Sequence, residues 1–418
     1  MSTTAMRQGS ASDAVDGVVP RQVVEPETAA GLAESLSSAS RDRLVTVLRG
    51  GGTKLGWGRT PLAVDRVVST ARLNTQIVHR HGDLTATAHA GVTLKQLNQE
   101  LARYGQWLPI DSAFEGATIG GIVATNDAGP LRHRFGTPRD LLIGVSLAMP
   151  DGRLIKAGGH VVKNVAGYDL GKFISGSFGS FAAIVDATFK LLPMPQASAT
   201  LVATYQDVER MTRDVAAIGG SQLEPIAFDV RVPPAGRTSR PPVGDSGDAK
   251  TCQLLLRLAS SPSAVDAQVL SVQRMLTGHV SMRRDAEESA LWSDHIRAPW
   301  LRQGAVVRVA WLPAKLEDVM TLVDEVQRMA DGRVSLTGRV GTGAGLLTIE
   351  GDVLTQAAVV NRLRSSVFVG NVTVLGASRE LKSQVDVWSL AAGPMKTLRA
   401  LKESFDSAGI MNAGRGPI

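Results

Sequence analysis

From residue 200 onward the chain runs through one pattern of elements twice, and this repeat restricts its fold more than any other feature. Hydrophobic periodicity gives strand 200–205, helix 206–218, strands 224–230 and 251–258, helix 262–276 and strand 278–283. Alternation with a period of two marks the strands, and apolar residues three and four apart mark the helices. After a linking helix at 286–297 the order returns: strand 305–311, helix 314–330, strands 333–339 and 345–350, helix 354–366, strand 371–375. Each half is a βαββαβ unit, the split βαβ of ferredoxin-like folds, offset from its twin by about a hundred residues. The repeat is one of pattern, without residue-level identity. Pro233 to Asp248 is polar and rich in Pro, Gly and Ser, and reads as a flexible insert, 233–248, in the first half.

The preceding half is punctuated differently. Residues 28–38 read as a helix, 44–48 and 62–68 as strands, and 93–104 as a helix with Thr93 at its N-cap. The stretch Gly116 to Gly136 breaks regular structure. Strands follow at 141–149 and 153–156, joined by the turn Pro150-Asp151-Gly152, and at 183–192. A helix at 394–405 precedes a Gly-rich end. Residues 1–19 are rich in Ser, Ala and Asp, lack the apolar run of a secretory signal, and read as a disordered tail. A length of 418 residues suits two domains.

Composition excludes several classes. The net charge is +6, but no block of five or six Lys/Arg occurs, so the footprint of nucleic-acid binding is missing. Cys252 is the single cysteine, which excludes an internal disulfide and CxxC metal or Fe–S motifs and points to a reducing compartment. No apolar run is long enough to span a membrane.

Three motifs carry chemistry. Gly50-Gly51-Gly52-Thr53 follows a strand, and glycines there let successive N–H groups converge on an anion. Taken alone, a triple-Gly turn is more often a flexible loop. It is neither a dinucleotide fingerprint opening a helix nor a Walker loop, since Lys54 lacks the required spacing. The second motif runs from Pro109 through Thr118-Ile119-Gly120-Gly121 to Asn126 and Arg134-Phe135-Gly136, a long segment of small and polar residues. The third is Lys163-Asn164-Val165-Ala166-Gly167-Tyr168-Asp169-Leu170 followed by Gly176-Ser177-Phe178-Gly179. A tight turn at a strand start explains any one of its glycines.

In order and spacing these motifs resemble the vanillyl-alcohol-oxidase/PCMH flavoproteins. Within them the likeness is strongest to the FAD-binding E-type (GlcE-type) subunits of glycolate oxidase. It covers about residues 40–195 and returns at Asp386-Val387-Trp388 and from Asp406 to Arg415, with Ser407 and Ala413 where the family often has proline. The resemblance implies an α+β fold: a PCMH-type FAD-binding domain of two α+β subdomains at 20–195, a ferredoxin-like cap at 196–384, and a segment 385–418 returning to the first domain. It implies non-covalent FAD, because Thr53 stands where covalent members carry histidine. It assigns Arg49, Gly50, Gly51, Gly52, Thr53 and Lys54 to the pyrophosphate loop. Pro109, Thr118, Gly120, Gly121, Asn126, Arg134, Gly136, Ile184 and Asn412 become further cofactor contacts.

The departures point to function. Related 2-hydroxyacid dehydrogenases carry paired histidines in this half, which hold a metal and abstract a proton. Here the segment Gly341-Thr342-Gly343-Ala344-Gly345 is followed by Leu346 and Leu347, and no histidine follows His295. An apolar side chain neither ligates a metal nor takes a proton. His295 reads as a surface residue, and Tyr168-Asp169 as a structural hydrogen bond ahead of an acid/base couple. No catalytic residue and no metal ligand is assigned. The resemblance thus implies a subunit supporting oxidation of glycolate to glyoxylate beside a catalytic FAD subunit and an Fe–S subunit. The alternatives are a free-standing FAD oxidoreductase and an assembly subunit whose FAD is structural. The expected location is cytoplasmic, or the inner face of a membrane through the complex.

Overall fold

The doubled pattern closes into one antiparallel sheet. In this computed structural model, which describes residues 5–160, 168–235 and 251–417, eight strands stand side by side. Their order is His279–Arg283, Ala197–Tyr205, Cys252–Ser260, Ala227–Val232, Val334–Arg339, Ala344–Ile349, Ala305–Trp311 and Val369–Gly376. The first four form one ferredoxin-like half and the last four its mirror in order. The halves meet where Ala227–Val232 pairs with Val334–Arg339, with Asp229 opposite Arg339. Helices Val208–Gly219, Pro262–Met275, Leu316–Met329 and Val353–Arg364 bury residues such as Met211, Val269, Val323 and Val359. The linking helix Asp285–Arg297 buries Trp292 against Val202, Ala227 and Leu255. The α+β class and the paired ferredoxin-like units expected from the sequence are both present.

Contact density divides the chain into two units, one of residues 1–129, 135–194 and 390–418, the other of 130–134 and 195–389. The boundaries thus differ slightly from those read in the sequence. Residues 385–389 stay with the second unit because Val387 O accepts from Val374 N. Residues 130–134 join it because a Cβ on Gly341 would lie 2.3 Å from the His133 ring, whose edge also faces Phe228.

Among the described residues, the first unit holds two larger sheets and a two-stranded pair, Gln106–Trp107 with Leu192–Pro193. One of the larger sheets has the order Ala5–Gln8, Gln22–Glu25, Arg66–Ser69, Thr46–Arg49, and the other Ile77–Arg80, Thr85–His89, Ala183–Lys190, Leu142–Ala148, Leu154–Gly158. The expected disordered tail is therefore corrected over residues 5–19. Ala5–Gln8 pairs with Gln22–Glu25, and the buried Asp13 carboxylate binds Arg7 and Arg49. The Arg49 pair spans 36 residues, which local composition does not reveal. A second correction concerns Gly116 to Gly136, which contains the helix Ile119–Thr125. Thr118 caps it by accepting from Gly121 N, and Ile119, Ile122 and Val123 are buried. The strands Ile77–Arg80 and Thr85–His89 were not expected, being short and half polar. The Lys163–Gly167 part of the third motif and most of the insert 233–248 lie outside the described residues.

Candidate functional site: a glycine-lined cleft

The turn after strand Thr46–Arg49 opens a cleft. Of the residues assigned from sequence, Arg49, Gly50, Gly51, Gly52, Thr53, Lys54, Thr118, Gly120, Gly121 and Ile184 line it. Three segments distant in sequence thus converge on one cleft.

Local geometry explains why glycines stand here. A Cβ on Gly50 would sit 2.1 Å from Thr118 Oγ1, one on Gly51 2.0 Å from Gly116 O, and one on Gly120 2.8 Å from Ala90 Cβ. The loop packs against the Thr118 side chain and the Gly116 carbonyl, and the helix start against Ala90, too closely for any Cβ. Gly52 adopts φ +73, the left-handed region, and reverses the chain toward Thr53. The backbone N–H groups of Gly51, Gly52 and Thr53 donate to no described residue. Ser177, 9% exposed and also in the wall, has a buried Oγ without a partner. Buried or converging donors of this kind fit an anionic, oxygen-rich ligand such as the diphosphate and ribityl chain of FAD.

The two cations of the loop are each paired with a carboxylate. Arg49 Nη1 lies 2.8 Å from Asp13 Oδ1. Lys54 Nζ lies 3.0 Å from Asp127 Oδ2 and stands over the Trp57 and Phe114 rings at 5.8 and 5.4 Å. The sequence reading missed Arg415, although it quoted the residue in the closing motif. Arg415 lines the cleft, is 5% exposed, and donates to Leu55 O at 2.6 Å and Trp57 O at 2.8 Å. Burial pushes its guanidinium down to about 10. Ser177, Phe178 and Gly179 were quoted likewise without being assigned a contact.

Five assigned residues stand outside the cleft wall, each for a structural reason. Pro109 is buried beside Leu108, whose N–H and C=O both bond to the Asn98 amide. Asn126 ends helix Ile119–Thr125 at φ +48, and its Oδ1 accepts from Arg139 N. Arg134 Nη2 pairs with Glu224 at 2.9 Å within the second unit. Gly136 adopts φ +80 where a Cβ would strike Asp140. Asn412 acts from behind the wall, donating to Phe178 O at 2.7 Å and accepting from Arg415 Nη1 at 3.0 Å.

Other candidate groups also fall into place. Tyr168 is 91% exposed, and the Asp169 side chain accepts from Lys172 N and pairs with Lys172 Nζ, so the structural bond expected between Tyr168 and Asp169 is replaced by a helix cap. His295 is the largest correction. It is fully buried, with Nε2 2.9 Å from Asp229 Oδ2 and Arg339 Nε 3.8 Å from the same oxygen. The Gly-rich hairpin at 338–345 is filled from within: Cβ atoms on Gly338 and Gly345 would meet the Trp311 ring at 2.8 and 3.0 Å. Cys252 is buried, and burial pushes its thiol up to about 11. Among the described residues, no helix is long and apolar enough to cross a membrane.

Residues 20–158 match the family described as FAD binding domain, FAD_binding_4. The glycolate oxidase subunit GlcD of Bacillus subtilis is 24% identical over 95% of this chain and 89% of its own length. The glycolate oxidase subunit GlcE of Escherichia coli is 33% identical over 47% of this chain and 55% of its own. A D-lactate dehydrogenase of Archaeoglobus fulgidus is 32% identical over 50% of this chain and 46% of its own, so the chain spans about half the length of these last two relatives. Among solved structures, an alkyldihydroxyacetonephosphate synthase shares the fold with a TM-score of 0.72 at 17% identity, covering 95% of this chain and 76% of its own. Over residues 20–158 the chain therefore carries an FAD-binding domain of the vanillyl-alcohol-oxidase/PCMH type, and its cofactor is FAD.

Proposed function

We propose that this chain is the FAD-carrying, GlcE-type subunit of a 2-hydroxyacid oxidase, with glycolate as its substrate class and a second FAD subunit and an Fe–S subunit as partners. When bound, FAD supplies the redox chemistry. The protein's part is to hold it: the N–H groups of Gly51, Gly52 and Thr53, which donate to no described residue, would bind its diphosphate, and Thr118, Gly120, Gly121, Ser177 and Ile184, which line the cleft, would flank it. The observation that most favours a supporting role is the hairpin at 338–345. Its glycines accommodate Trp311, and Leu346 and Leu347 follow where a proton-accepting imidazole would be needed. His295 does not take that place, since both His295 and its partner Asp229 are 0% exposed. The location we propose is cytoplasmic, or against the inner face of a membrane through the complex.

The test is the visible spectrum of the purified, FAD-loaded chain under anaerobic conditions, before and after glycolate. Bands that persist with the chain alone and bleach once the sister subunits are added support the proposal. Bleaching by the chain alone would establish the free-standing oxidoreductase. Bands that never bleach, in a complex that still oxidises glycolate, would establish an assembly subunit with structural FAD.

A further inference from the structure

We infer that Asp13 is a positioning residue of the cofactor site: it draws Arg49 back so that the Arg49 stem forms the floor of the Gly50–Thr53 loop. The inference rests on the reading of that loop as the diphosphate site. Asp13 is 2% exposed and sits at the focus of several donors. It accepts from Arg7 Nη1 and Nη2 at 2.7 and 2.6 Å, from Ser10 N and Oγ at 3.0 and 2.7 Å, and from Arg49 Nη1 at 2.8 Å. Glu25 adds a second carboxylate 3.8 Å from Arg49 Nη2.

With its head fixed in this way, Arg49 has little freedom left. Its backbone is held by parallel pairing to Ser69 and by Thr70 N donating to its carbonyl at 2.8 Å. Its side chain lies against the loop, since a Cβ on Gly52 would fall 3.8 Å from Arg49 Cδ and 4.0 Å from Cγ. Gly52 is the residue whose positive φ turns the loop. A carboxylate 36 residues upstream therefore sets the surface on which the loop rests. The same segment is also tied to the chain beyond the loop, through Asp16, whose carboxylate accepts from Thr60 Oγ1. The Arg7 guanidinium holds the Asp13 carboxyl far below the usual carboxylate range, so the anchor keeps its charge across neutral and mildly acid pH.

An alternative role, plain support of the sheet edge, predicts something else. Asp13 would then act through Arg7 and strand Ala5–Gln8, whether or not Arg49 is present. A double-mutant cycle separates the two. Full-length apoprotein of the wild type, Asp13→Asn, Arg49→Met and the double variant is titrated with FAD by fluorescence, and melting is followed in parallel. Loss of one charge-assisted, buried contact is expected to weaken FAD binding by about tenfold in Asp13→Asn. In the Arg49→Met background, Asp13→Asn should change the FAD Kd by less than about twofold. Asp13→Glu, which keeps the charge, should recover most of the lost affinity. An Asp13→Asn protein with wild-type FAD affinity, or one whose loss is equal in both backgrounds, overturns the inference. If Asp13→Asn does not fold, Asp13→Glu in both backgrounds gives the same cycle, with a smaller loss confined to the Arg49 background. Failure of the wild type itself to take up FAD would instead refute the loop assignment.

Discussion

His295 Nε2 lies 2.9 Å from Asp229 Oδ2 with both side chains fully buried, on the seam where the two ferredoxin-like halves pair. Nε2 donates to the carboxylate, so the neutral ring leaves its lone pair on Nδ1, which has no partner. Protonation there would place a second N–H in the interior with no acceptor. Burial lowers the His295 pKa below its ordinary 6.5; the Asp229 hydrogen bond and charge oppose this, and the Arg231 and Arg339 charges add to it. A depressed folded-state pKa means that the unfolded chain binds the proton first as pH falls. The contribution of His295 is therefore complete above pH 6.5 and lost as pH drops through its folded value. Melting curves from pH 8 to 5 should show Tm falling on the acid side. His295→Gln, which keeps a donor for Asp229, should flatten that fall in part. His89 and His133 are shifted in the same direction by burial and retain their own share.

The glycines of the loop separate two effects. In Gly52→Ala nothing lies closer than 3.8 Å to the new Cβ, but φ is +73. The cost is then one left-handed Ala, about 1–2 kcal/mol. In Gly51→Ala the new Cβ meets Gly116 O at 2.0 Å, so the loop must part from the segment before helix Ile119–Thr125. Gly51→Ala should lose FAD and stability together, whereas Gly52→Ala should weaken FAD binding with a smaller drop in Tm. Equal FAD affinity in both variants and the wild type, measured by titration of apoprotein, would remove the loop from the cofactor site.

Arg415 ties the chain's closing segment to the loop through carbonyls of Leu55 and Trp57. Hydrogen bonds to a charged group contribute about 1.5–3 kcal/mol each at most. Arg415→Met removes them and leaves two carbonyls to find new donors. A destabilisation of about 2–4 kcal/mol is expected, with faster FAD release. Urea unfolding of the holoprotein and the rate of flavin fluorescence recovery check the two parts.

The eight-stranded sheet was legible because its strands and helices keep clean periods over long stretches, and strand 305–311 was read to the residue. The residues that line the cleft were legible where close packing admits only glycine, as at Gly50, Gly51 and Gly120. The assigned residues that stand outside its wall also serve the chain's own geometry. Gly136 and Asn126 are fixed by turn and helix-end conformations, and Asn412 by a bond to Phe178 O. Asp13 and His295 could not be placed from sequence. Their partners Arg49 and Asp229 lie 36 and 66 residues away, and a charged residue on a mixed-polarity segment looks solvated until its partner is known.

Thr53 closes the loop with a hydroxyl, a weak nucleophile without an adjacent base, and its backbone N–H is among those that donate to no described residue. FAD should therefore be held by hydrogen bonds and packing alone. Acid precipitation of the holoprotein should leave a colourless pellet and release all the flavin as intact FAD into the supernatant. Flavin fluorescence retained on the protein band of a denaturing gel would show a covalent bond and overturn the reading of Thr53. Thr53→Val tests the weaker claim that the side chain adds little beyond its backbone N–H. That variant keeps the N–H and a similar volume, so FAD affinity should fall by no more than one hydrogen bond's worth, about 0.5–1.5 kcal/mol. A loss as large as that of Gly51→Ala would instead make the Thr53 hydroxyl a principal contact of the cofactor.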